Sequence, residues 1–158
     1  DNIMRRCISS LIAAFLLLLL AAPSALPAGN SGFGLGVILG APTGLSCKGW
    51  IGSHRAIDGA ASWTTSRGDK SLYLHGDLLR QNHNALHLDP VWLDWHYGLG
   101  LAINFKEDTE MGLRIPVGLD YSLTTIPMEL FVEIVPVLLL TPDSSFDIDG
   151  GIGLRIFF

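Results

Sequence analysis

The chain has 158 residues, a formal net charge of −5 and 49% hydrophobic residues. This length suits one domain, and the mildly acidic balance gives no support to nucleic-acid binding. Cys7 lies before the first apolar run and only Cys47 lies beyond it, so we expect no intramolecular disulfide once the first segment is removed.

The first 28 residues have the layout of an export signal. Basic residues precede an apolar run over residues 8–22, and small residues with prolines follow it. The run is shorter than the roughly 20 apolar residues that a membrane-spanning helix needs. We therefore predict a cleavable signal peptide over residues 1–28, cut after Ala25 or Ala28, and one exported domain over residues 29–158.

Turn signals divide the exported part into eight segments. Each segment alternates apolar residues with polar residues or glycine, which is the period of a strand with two different faces. The predicted strands span residues 33–40, 45–51, 56–64, 71–81, 92–105, 111–123, 128–140 and 146–158. The longest predicted connection is residues 82–90.

One face of each predicted strand carries no charge. Leu35 and Val37 belong to this face in the first strand, and Leu99 and Leu101 in the fifth. An arginine or lysine at the middle of the bilayer costs a membrane β-barrel about 2–4 kcal/mol. The uncharged faces therefore predict contact with lipid.

The opposite faces carry ionisable residues interleaved with glycine and alanine. An eight-stranded barrel is just wide enough for side chains to fill it, so we predict a polar network inside and no open pore. The pattern predicts an all-β fold: an eight-stranded antiparallel up-and-down transmembrane β-barrel behind a signal peptide. The predicted interior network is Lys48, Asp58, His75, Asp77, Asp94, His96, Arg114, Asp120, Glu129, Glu133 and Arg155.

Aromatic residues gather near the predicted turns. Trp63, Trp92, Phe105 and Phe146 all lie within a few residues of a strand end. Two girdles of aromatic side chains at the membrane interfaces produce this pattern. Anchoring of a soluble barrel would explain the aromatics alone, but not together with the uncharged faces.

Asp58, His75 and Asp77 are expected to meet inside the predicted sheet, on the third and fourth strands. With a serine they would suggest hydrolysis, but no Ser–His pair stands out, and a buried polar network explains them better. The four-residue spacing of His83 and His87 suits a metal only on a helix, and their surroundings favour a turn. We predict no catalytic residue, no cofactor and no metal site, and therefore no enzyme.

Several motifs of the exported part carry a family resemblance. They are residues 32–36, 41–46, 72–77, 97–100, 114–118, 133–136, 140–143 and 149–155. They resemble small outer-membrane barrels known from spirochaetes and other Gram-negative-type bacteria, similar to the transmembrane domain of OmpA or OmpX. The resemblance implies an eight-stranded outer-membrane barrel and little about activity, since a fold hosts many functions.

The last strand carries a second resemblance. Gly153, Ile156 and Phe158 lie in an alternating apolar segment that ends on an aromatic ring. This is similar to the C-terminal signal that the barrel-assembly machinery reads in Gram-negative outer-membrane proteins. The resemblance implies that this machinery is a partner during biogenesis.

We therefore expect a non-enzymatic integral protein of the outer membrane, surrounded by its lipid, with a structural or surface-interaction role. Three alternatives stay open: a soluble periplasmic ligand carrier of lipocalin type, a lipid-modifying outer-membrane enzyme, and a narrow ion-conducting pore. The carrier needs an apolar interior and a polar exterior, which is the reverse of the faces assigned above.

Overall fold

The computed structural model describes residues 32–66, 69–123 and 125–158. The predicted signal peptide lies outside the described residues. The nine strands of the described chain are β1 (Phe33–Ala41), β2 (Gly44–Gly52), β3 (Arg55–Ser66), β4 (Asp69–Leu88), β5 (Val91–Phe105), β6 (Glu110–Arg114), β7 (Val117–Ser122), β8 (Met128–Thr141) and β9 (Ser145–Phe157). Within these residues we find no helix with the length and apolar character needed to cross a membrane.

The nine strands form one antiparallel sheet that closes on itself. The ring closes where β1 pairs with β9, for example at Val37 opposite Leu154. The short strands β6 and β7 lie end to end and share one position of the ring. Each of them pairs with β5 on one side and β8 on the other. The ring therefore has eight positions for nine strands. The predicted all-β antiparallel sheet is confirmed.

Two prolines interrupt the pairing of the strand that the sequence predicts as one over residues 111–123. Pro116 lies within that strand, and Pro136 lies opposite it on β8. The carbonyl of Pro116 accepts a hydrogen bond from the Gly98 amide at 2.9 Å, and the carbonyl of Pro136 accepts one from Ile115 at 3.0 Å. Neither proline has an N–H to donate in return. The pairing is therefore interrupted at these positions, while its register is the same on both sides.

The prediction of a connection over residues 82–90 is wrong. The strand β4 continues to Leu88, and the turn consists of Asp89 and Pro90. Pairing with β5 is irregular around Asn84, which has a φ of 50°. The polar residues that resemble a loop in the sequence thus form an irregularity within a long hairpin.

The ring has two ends, which we name by their contents. The terminal end is where β1 begins and β9 ends, and it also carries the turns at residues 53–54 and 89–90. The turn end carries residues 42–43, 106–109 and 142–144, which connect neighbouring strands. Apart from β6 and β7, each strand runs between these two ends, and β6 and β7 together cover the same distance.

Alternation along the strands separates two environments. The outside carries large apolar side chains, such as Leu39, Leu99 and Ile134, which are 60%, 59% and 62% exposed. The inside holds a set of buried ionisable side chains, and the largest fully buried ones are Arg114 and Arg155. This arrangement is the reverse of an ordinary soluble core, where charged residues are rarely buried.

Candidate functional site: the buried ionic network

The structure encloses the predicted network residues within the ring. Nine of the eleven are buried as whole residues, the His75 side chain is 1% exposed and the Asp94 side chain is 13% exposed. Sequence reasoning missed two buried members, Ser46 and Gln81. Both could have been predicted from their positions, because residues an even number apart on a strand share a face. Ser46 lies two residues from Lys48, and Gln81 lies four residues from Asp77.

Arg155 on β9 is the centre of one cluster. Its Nε donates to Ser46 Oγ at 2.9 Å, its Nη1 donates to Glu129 Oε1 at 3.1 Å, and its Nη2 donates to Asp58. The guanidinium also lies 3.8 Å from the centre of the Phe131 ring. The planar fork of arginine is suited to this, since it offers several donors in fixed directions.

Lys48 extends this cluster. Its ammonium lies 2.9 and 3.1 Å from the two carboxylate oxygens of Glu129, and it donates to Gln81 Oε1 at 2.6 Å. Asp120 lies 3.7 Å away on its other side. Glu129 is therefore shared between Lys48 and Arg155, so that one carboxylate joins three strands.

Arg114 is the centre of a second cluster. Its Nε lies 3.1 Å from Asp77 Oδ1, and its Nη1 donates to the Tyr73 hydroxyl at 2.8 Å. Glu133 and Asp149 lie 3.9 and 3.7 Å from its Nη2 and Nη1. Burying a guanidinium in this way requires such partners, because an unpaired buried charge is costly.

His96 connects the two clusters. Its Nδ1 lies 2.5 Å from Asp120 Oδ2, and its Nε2 lies 3.8 Å from Glu133 Oε2. Asp120 also faces Lys48, and Glu133 also faces Arg114. The charges therefore form one continuous network from β2 to β9 across the inside of the ring.

Glycines give the network its room. A Cβ added to Gly118 would lie 2.7 Å from His96 Nε2, and one added to Gly100 would fall on the Asp77 carboxylate. These contacts are closer than side chains tolerate, so the absence of a Cβ lets the polar groups approach the facing backbone.

Asp94 lies at the edge of the network, towards the terminal end, and Gln81 connects it to Lys48. It accepts a hydrogen bond from Gln81 Nε2 at 3.0 Å, and its Oδ2 lies 2.7 Å from His83 Nδ1. The ring of His87 instead stacks on Trp92, with the ring centres 4.3 Å apart. His83 and His87 thus have different partners.

The residues predicted as an assembly signal lie where the ring closes. Ile156 pairs with Leu35 on β1, and the Phe158 amide donates to the carbonyl of Phe33 at 2.9 Å. Gly153 leaves space for the ring of Phe131. The contacts of Ile156 and Phe158 join β1 to the end of the chain, whereas Gly153 faces β8.

A cavity of about 510 Å³ opens at the turn end. Tyr73, Asn104, Glu110 and Asp149 are among its lining residues. Tyr73 and Asp149 join this cavity to the network, because the Tyr73 hydroxyl accepts a hydrogen bond from Arg114 and Asp149 Oδ2 lies 3.7 Å from Arg114 Nη1. The cavity therefore ends at the Arg114 cluster.

Comparisons with known protein families, with characterised proteins and with solved structures find no match. The resemblance to OmpA-like and OmpX-like proteins therefore stays a prediction, and the proposals below rest on the residues and geometry of this chain.

Proposed function

We propose that this protein is an integral β-barrel of the outer membrane, without enzymatic activity, whose interior is filled by a structural network of paired charges. The observation that carries the proposal is the inverted distribution of side chains. Arg114, Arg155 and Lys48 are each at most 1% exposed, whereas large apolar residues cover the outside. Lipid is the solvent that matches such a surface.

The apolar surface continues around the ring. Leu39, Ile57, Leu78, Leu101 and Ile134 lie on five different strands, and each is more than half exposed. Soluble monomers rarely expose a contiguous apolar patch of more than a few hundred Å². A surface of this kind on nearly every strand favours a surrounding membrane over a single docking partner.

Exposed charges among the described residues lie near the ends of the ring. Arg55 and Arg80 lie close to the 53–54 turn, and Lys106, Asp108 and Asp143 belong to the turn end. The strands between them present an uncharged exterior. Membrane barrels need such an apolar band between two polar rims.

Aromatic side chains lie on the outside at both rims. Phe33 and Trp95 are exposed towards the terminal end, and Trp63, Phe105 and Phe146 towards the turn end. Aromatic rings prefer the headgroup region, where one part of the ring meets lipid and another meets water. Their placement supports two membrane interfaces.

Closure of the ring also favours this proposal. A strand in lipid has no water for its backbone groups, so a spanning sheet must have no free edge. The pairing of β1 with β9 removes the edge that an open sheet would have.

The ionised interior argues against a lipocalin-type carrier, which needs an apolar interior for its ligand. The short connections at the turn end favour a structural role.

The proposal is tested by fractionation after export of the full chain in a Gram-negative host. We expect the protein to remain in the outer-membrane fraction after osmotic shock and high salt, and to leave it only with detergent. The folded form should run differently from the boiled form on gels. Release with periplasmic proteins would contradict the proposal.

Two further assays address the remaining alternatives in the same preparation. Lipid A from expressing cells should be chemically unchanged, since we propose no enzyme. Planar-bilayer recordings should show no steady conductance, because the network fills the interior. A modified lipid A or a defined single-channel current would support the corresponding alternative instead.

A further inference from the structure

Asp58, His75 and Asp77 bring one ligand atom each towards a common point inside the ring. His75 Nε2 lies 3.8 Å from Asp58 Oδ1 and 3.7 Å from Asp77 Oδ2. The three ligand atoms all lie within 4.8 Å of one another. Asp58 pairs directly with Asp77 across β3 and β4, and His75 precedes Asp77 by two positions on the same face. The sheet itself therefore sets the spacing.

Both carboxylates are oriented by arginines. Asp58 uses Oδ2 for Arg155, which leaves Oδ1 turned towards His75. Asp77 binds Arg114 most closely through Oδ1 at 3.1 Å, and its Oδ2 is the atom nearest His75. Hydrogen bonds of this kind hold ligating carboxylates in place at metal sites.

His75 is incompletely satisfied. Its side chain is 1% exposed, and its Nδ1 has no hydrogen-bond partner among the described residues. Its Nε2 faces two carboxylate oxygens at 3.7 and 3.8 Å, which is too long for hydrogen bonds. A cation between the three groups would contact Nε2, which lies within hydrogen-bond distance of neither carboxylate.

The buried interior also has an excess of negative charge. Among the residues buried as whole residues, three lysine and arginine side chains face five carboxylates. A divalent cation would reduce this excess of acidic groups. The cations are Lys48, Arg114 and Arg155, and the carboxylates are Asp58, Asp77, Asp120, Glu129 and Glu133.

We propose that Asp58, His75 and Asp77 bind one divalent transition-metal ion inside the ring, of the kind represented by Zn²⁺. One imidazole with two carboxylates suits Zn²⁺ or Mn²⁺ better than Ca²⁺ or Mg²⁺, which prefer all-oxygen sites. Three protein ligands leave a fourth position for water. The site depends on the closed ring and not on the membrane around it.

The cavity at the turn end supplies the access route. Tyr73 lines this cavity, and its ring centre lies 5.9 Å from that of His75. An ion that enters the cavity therefore reaches a side chain that lies beside His75.

The first test measures Zn²⁺ binding to the folded full chain in detergent micelles after chelator treatment, by equilibrium dialysis at neutral pH. We expect one Zn²⁺ per chain. The variant His75→Phe should bind at least about tenfold more weakly, since even changes outside the ligand sphere cost 10–100-fold at metal sites. The control His87→Phe removes an exposed histidine and should bind as the unmodified chain does. Equal binding by both variants would overturn the proposal.

A second test needs no variant and so does not depend on whether His75→Phe folds. Mn²⁺ broadens NMR signals near its binding site. Ala60 and Ala102 pair with His75 on the neighbouring strands, so their amide signals should broaden at one equivalent of Mn²⁺. The Ser53 signal, at the terminal end, should stay sharp. Broadening centred on Glu107 and Asp108, or none at all, would overturn the proposal of an interior site.

Discussion

Arg155 and Asp58 are 97 residues apart in the chain and form a buried ion pair. Arg155 lies on β9 and Asp58 on β3, and two strands, β1 and β2, separate them in the sheet. The pair therefore crosses the interior instead of joining neighbouring strands. Such contacts stabilise the closed ring in a way that backbone pairing alone does not, because they resist separation of strands that share no hydrogen bonds.

The first prediction concerns this ion pair. Arg155→Leu removes one cation from Asp58 and Glu129 and leaves buried carboxylates with fewer partners. Breaking a buried pair in this way costs about 3–5 kcal/mol. We expect the temperature at which the folded form disappears on unboiled gels to fall clearly. Arg80→Leu, which changes an exposed arginine, is the control and should melt like the unmodified protein. Equal melting of both variants would argue against a stabilising network.

The second prediction separates lipid from water around the ring. Leu101 is 57% exposed on β5, between the aromatic residues Trp95 and Phe105 of the two rims. Leu88 is 63% exposed beside the turn at the terminal end. In a bilayer, arginine at the midplane costs about 2–4 kcal/mol, and near the interface about 0–1 kcal/mol. We therefore expect Leu101→Arg to reduce folding yield into lipid vesicles much more than Leu88→Arg. Equal yields would contradict a surrounding membrane.

The third prediction concerns the space around His96. In Gly118→Ala the added methyl group would lie 2.7 Å from His96 Nε2 and 2.5 Å from the carbonyl oxygen of Val132. Overpacking of this kind costs about 1–3 kcal/mol. The matched control is Gly52→Ala, where nothing lies within 4 Å of the new atom. Urea unfolding should show a loss of stability for Gly118→Ala only. If Gly118→Ala unfolds like the unmodified protein, the side chains around His96 can move to accommodate the added methyl group.

The fourth prediction tests the boundary between the cavity and the network. Tyr73→Phe removes the hydroxyl that accepts a hydrogen bond from Arg114 at 2.8 Å. Hydrogen bonds to charged groups contribute about 1.5–3 kcal/mol, so the free energy of unfolding should fall by a similar amount. Tyr97→Phe changes a tyrosine on the outside of the ring and serves as the control. If the two variants unfold alike, the Tyr73 hydroxyl makes no net contribution.

Strand alternation was the part of the fold that could be predicted well. A period of two is a local property, and it assigns Lys48 and Arg155 to the inside from their neighbours alone. Uncharged members of the network were harder to recognise, because Ser46 and Gln81 carry no charge to mark them. The division at Pro116 was also missed, since its effect depends on the lack of an N–H towards a facing strand.

The sequence by itself determined that the chain forms antiparallel strands and which residues share a face, because both follow from the alternation of side chains along an extended backbone. Only the tertiary structure decided which charges meet. Arg114 and Asp77 are 37 residues apart, and Lys48 and Glu129 are 81 apart. The register and closure of the ring set these distances, and both depend on the pairing of all strands together.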